Sequence, residues 1–75
     1  MGEGISEEAA TEIAVQVGLK KFDSTLMQAL EIAERGRSER FPLSDDIVIW
    51  ARPYIVEAFY KDEEIFRTDR LSPVE

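Results

Sequence analysis

The run of residues 47–60, IVIWARPYIVEAFY, constrains this chain most. Twelve of its fourteen residues are apolar, aromatic or proline, and only Arg52 and Glu57 carry charge. A segment apolar on nearly every side has to be enclosed by other elements. Read as a helix, it opens on Ser44-Asp45-Asp46, a strong start signal with acids at the positive end of the macrodipole. It then meets Pro53, which lacks an amide proton and clashes with the carbonyl of Ile49, at ~3 kcal/mol in a straight helix. An extended reading of Ile47 to Trp50, with a helix beginning around Pro53, suits the β-branched Ile47, Val48 and Ile49. A strand needs a partner, however, and only residues 13–17 offer one. The Ser44 cap and the missing partner together predict a helix kinked at Pro53.

Upstream, Ser6 followed by Glu7 and Glu8 reads as a helix start. Ala10, Ile13, Ala14 and Val17 recur at helical spacing, and Gly18 is the stop. Phe22 is expected as a plug beneath a turn over residues 19–23. Asp23 or Ser24 then caps a second helix whose inner stripe is Leu26, Leu30 and Ala33, ended by Gly36. Arg37 to Leu43 is a charged connection. Asp62-Glu63-Glu64 ahead of Ile65 and Phe66 suggests a short final helix, with Leu71 the last residue to be buried. The expected fold class is therefore all-α: a bundle of three main helices, about residues 6–17, 24–35 and 45–61, with room for a short fourth. Residues 1–5 and 72–75 are expected to be flexible ends of one domain spanning residues 1–75.

A chain of 75 residues is marginal for an independent core. It has no Cys and no His, which removes disulfides and the usual zinc ligands. Helix packing and oligomerisation remain as reinforcements. The net charge of −7 repels free nucleic acid unless the basic residues are segregated. Residues 20–40 are the one stretch where bases outnumber acids, five to four. The start is acidic and lacks an apolar run, and no run is long enough to span a bilayer, so a cytoplasmic protein without membrane contact is expected. Gly2 with Ser6 fits the loose N-myristoylation pattern, which here reads as coincidence.

Lack of His and Cys also removes the commonest base and the thiol nucleophile, and no phosphate-binding glycine motif occurs. Asp45-Asp46 and Asp62-Glu63-Glu64 read as charged helix starts, which leaves a carboxylate-only enzyme as the weakest reading. No cofactor or metal is expected. A helix-turn-helix over residues 13–35 would present Lys20, Lys21, Gln28 and Arg35 to DNA. The seven residues between the expected helices are too many for that motif, and Glu31 and Glu34 would repel phosphate. Trp50, Tyr54, Arg52 and Tyr60 are more informative, because Trp, Tyr and Arg dominate interface energetics. They point to a non-enzymatic protein–protein interaction module, a small acidic adaptor, subunit or inhibitor. Its partner is an identical or a different chain, with a homodimer the simplest outcome.

Overall fold

The computed structural model describes residues 6–68. The fold is α+β: two helices followed by a four-stranded antiparallel sheet in the order β1-β2-β3-β4. The elements are α1 (Glu7–Gln16), α2 (Leu19–Glu34), β1 (Glu39–Pro42), β2 (Ile47–Arg52), β3 (Ile55–Tyr60) and β4 (Glu63–Thr68). The all-α bundle is thus overturned at its centre. The expected kinked third helix over 45–61 is a hairpin of two strands, and the expected short fourth helix is a strand.

The reason lies in the spacing of side chains along β2. Ile47, Ile49 and Ala51 are buried, while Val48, Trp50 and Arg52 alternate with them on the opposite face. In β3, Val56, Ala58 and Tyr60 stand opposite Ala51, Ile49 and Ile47 and complete the inner face. Pro53 costs no ladder bond because it sits in the two-residue turn between β2 and β3. Tyr54 takes the left-handed conformation there, at φ 66. Its amide donates to the Ala33 carbonyl at 2.9 Å, and its ring lies over Gly36, where an added Cβ would meet the Tyr54 Oη at 3.2 Å. The hairpin is thereby docked on the C-terminal end of α2.

The caps explain the other ends. Ser6 caps α1 as its sequence suggests, accepting from the Ala9 amide at 3.2 Å. Ser44 does use its hydroxyl as a cap, but on a turn: it accepts from the amides of Asp46 and Ile47, at 3.3 and 3.2 Å, and leads into a strand. Ser44 also donates to Gln16 of α1 at 2.9 Å, tying the β1–β2 loop to that helix. The second helix begins at Leu19 rather than at 24, so Val17 and Gly18 alone join the two helices, with Gly18 at φ 101. Phe22 is consequently a helical core residue and not a plug under a turn.

Ala9 and Ile13 of α1, Phe22, Ala29 and Ala33 of α2, and the inner residues of β2 and β3 share one core. Alanines on both α2 and the sheet bring helix and strands into close approach, and each fully buried Ile or Val adds about 1.5–3 kcal/mol. Pro42 is tolerated because β1 is an edge strand. The other edge, β4, is blunted by Glu63, Glu64 and Arg67 and by a bulge where the register shifts beside Ala58 and Phe59. Among the described residues no helix is long and apolar enough to cross a membrane.

Lys61 and Asp62 form the two-residue β3–β4 turn with φ of 53 and 67. Both positive values match the type I′ hairpin, which favours Asn-Gly. Replacing Lys61→Asn together with Asp62→Gly is expected to stabilise the chain by about 1 kcal/mol in urea unfolding, by relieving the left-handed strain of two non-glycine residues.

Candidate functional site

The alternation that buries one side of the sheet leaves the other side uncovered. Across it the register aligns Arg40 of β1 with Trp50 of β2, Trp50 with Glu57 of β3, and Glu57 with Arg67 of β4. Val48 and Phe59 flank this row on one side, and Arg52 and Ile55 on the other. The apolar side chains packed around the core do not include Val48, Trp50, Ile55 or Phe59. This second face is therefore apolar in its middle, charged at its margins and open.

Set into it beside Trp50 is one ion pair. Glu57 is only 7% exposed, and Arg52 Nη2 donates to its Oε1 at 3.0 Å. Ionised groups held away from water need this pairing, since desolvation is costly for an unmatched charge. The Arg52 guanidinium also lies 5.6 Å from the centroid of the Trp50 ring, within cation–π range. Trp50 itself is 40% exposed. Lost hydration first, then the proximity and negative charge of Glu57 on the neighbouring strand, raise the Glu64 pKa above its ordinary 4.5, with Arg67 and Arg52 pulling the other way.

The residues singled out from sequence are dispersed by this fold. Trp50 and Arg52 come together on the open face as strand neighbours rather than as positions of a helix. Tyr54 sits at the end of the sheet against Gly36, and Tyr60 is in the core, 8% exposed. Lys20, Lys21 and Gln28 are exposed on α2, and Arg35 is exposed at its C-cap; Asp23, Glu31 and Glu34 are exposed on the same helix. Asp45 and Asp46 belong to the β1–β2 loop, whereas Asp62, Glu63 and Glu64 run from the β3–β4 turn into β4. The Gly2 pattern and Leu71 lie outside the described residues. Sequence reasoning missed Arg40, Glu57, Glu64 and Arg67, which become neighbours only through strand register. The one available signal was the β-branched run of Ile47, Val48 and Ile49, which favours an extended chain.

A groove of 570 Å³ runs along β4 beside the first turn of α1, lined by Ser6, Glu8, Lys61, Glu64 and Phe66 among others. Glu57 is not part of it. The raised carboxyl of Glu64 and its partner therefore do not face a shared walled space of the kind acid–base chemistry needs. Among the described residues no group of three or more acidic side chains is arranged to hold a metal ion. Comparison with protein-family models, curated proteins and solved structures returns no match.

A carboxyl with a raised pKa holds its proton more tightly in the folded chain than in the unfolded one. Its ionised form costs stability above the raised value, and nothing is lost below the unfolded value. Glu64→Gln should therefore raise Tm at neutral pH, with the gain shrinking as pH falls toward the ordinary 4.5; a gain that grows on acidification would contradict this. For the half-exposed ion pair, Arg52→Ala should cost about 2 kcal/mol in urea unfolding by stranding Glu57, and the double variant Arg52→Leu/Glu57→Leu should cost less.

Proposed function

We propose that the chain is a non-enzymatic protein-binding module, an adaptor or small subunit, whose working surface is the open face of the sheet. The observation that carries this reading is Trp50, 40% exposed beside the stacked Arg52 on a face that neither α1 nor α2 covers. An indole and a guanidinium held in place by strand geometry and by Glu57 lose little conformational freedom on binding, as interface anchors do. Val48, Phe59 and Ile55 extend the apolar area around them. The partner is a protein surface, from an identical or a different chain. The helical side supports nucleic-acid binding poorly, because Lys20, Lys21 and Arg35 are interspersed with exposed acids.

A photocrosslinking phenylalanine analogue in place of Trp50, introduced in the native cell, should yield a covalent protein adduct on irradiation. The same analogue in place of Gln28, on the outer side of α2, should not. The adduct's mass separates a second copy from another protein. Trp50→Ala should weaken the association by about 2 kcal/mol or more while leaving Tm nearly unchanged, because this ring is not in the core. Adducts from Gln28 alone, or from neither site, would count against the reading.

A further inference from the structure

Charge is not evenly spread over this molecule. The open face holds three arginines, Arg40, Arg52 and Arg67, against two glutamates, Glu57 and Glu64, while the whole chain carries −7. Glu57 is nearly buried and paired with Arg52, so the exposed charges at the two ends of the row are Arg40 on β1 and Arg67 on β4, the latter with the exposed Glu64 beside it on the same strand. Between them lie the exposed indole of Trp50 and the nearly buried Glu57. A face of this kind, cationic at both ends and apolar in the middle, is complementary to a ligand of the opposite pattern.

Resting on the reading of this face as a protein-binding surface, we infer that its occupant is an acidic, apolar-centred segment of another protein, with a carboxylate on Arg40, a carboxylate on Arg67 and an apolar side chain on Trp50. The register sets the spacing. Arg40 and Arg67 are separated by the full width of the sheet, three inter-strand steps or about 14 Å. In an extended peptide, side chains four positions apart point the same way and span about 13 Å, with a like-facing residue midway between them. The matching pattern is acidic–x–apolar–x–acidic, laid across the strands. The midway position lies half an inter-strand step, about 2.4 Å, beyond the Trp50 strand toward Glu57, within reach of the indole for a side chain as long as leucine's.

Two other occupants fit less well. Stacking single-stranded nucleic acid along the row would need successive exposed rings, whereas among the described residues Trp50 is the one largely exposed ring of this face and Phe59 is half-buried, with Glu64 exposed beneath the phosphate path. A second copy placed face to face would set the arginine of each edge strand against an arginine of the other molecule.

The test uses the full chain and fluorescein-labelled peptides in a Gly-Ser host, one carrying Glu-Ser-Leu-Ser-Glu and one carrying Lys-Ser-Leu-Ser-Lys. Anisotropy should rise saturably with the acidic peptide, at a Kd at least about tenfold below that of the basic one, and weaken with added salt. Arg40→Glu combined with Arg67→Glu should reverse the preference in a chain that remains folded, as its urea transition checks. The proposal is overturned by equal binding of both peptides, by a preference that survives the charge reversal, by no saturable binding of the acidic peptide, or by tighter binding of an oligo-dT probe. If crosslinks from Trp50 form while peptides of either sign bind alike, the docking face stands and its acidic selectivity falls. If no crosslink forms, the docking reading fails first.

Discussion

A four-stranded sheet has two faces, and among the described residues the two helices cover one of them. The inner face is sealed by α2 and by the buried side of α1, through Phe22, Ala29, Ala33, Ala9 and Ile13. Set against Ile47, Ile49, Ala51, Val56 and Ala58, these residues form the dry core among the described residues. Nothing among the described residues is left to lie over Val48, Trp50 and Phe59. The apolar content of residues 47–60, too great for a small core, is divided between a core and a surface. That division is the physical origin of the proposed docking face.

The open face is kept ordered by interactions of its own. Arg52 bridges Trp50 and Glu57, so one side chain both stacks on the indole and neutralises a buried carboxylate. At the end of the sheet carrying the β1–β2 and β3–β4 connections, the Lys61 amide donates to the Asp46 carbonyl at 2.8 Å, and Gln16 donates to Asp46 at 3.2 Å. At the other end, the Tyr54 amide is held by Ala33 of α2. The strands are thus fixed at both ends to the helices, and the row from Arg40 to Arg67 is presented on a rigid support. Preorganisation of this sort limits the entropy lost when a partner binds.

Much of the helical half was legible in the chain. Ser6 and the spacing of Ile13 located α1, and the stripe of Leu26, Leu30 and Ala33 located most of α2. The start of α2 was missed because Asp23 and Ser24 resemble a cap, whereas the helix begins after Gly18 with no side-chain cap. The sheet was not legible for a more general reason. Alternation signals a strand only when one face is polar, and here Val48, Trp50, Ile55 and Phe59 make the open face apolar too. The turns were equally silent: Pro53-Tyr54 and Lys61-Asp62 contain no glycine or asparagine, although three of these four residues adopt positive φ. Trp50 and Arg52 stood out by residue type alone. Arg40, Glu57 and Arg67 could not, because their adjacency is a product of three loop lengths.

The docking face requires an indole open to water in a lone copy of the chain. Trp50 is the only tryptophan, so acrylamide quenching of its emission in a dilute, single-copy solution reads that directly. An open indole predicts ready quenching and an emission maximum shifted toward that of solvated indole, both reversed when a partner seats on the sheet. A shielded, blue-shifted tryptophan in the isolated monomer would mean that something already covers this face, and the docking surface would not exist.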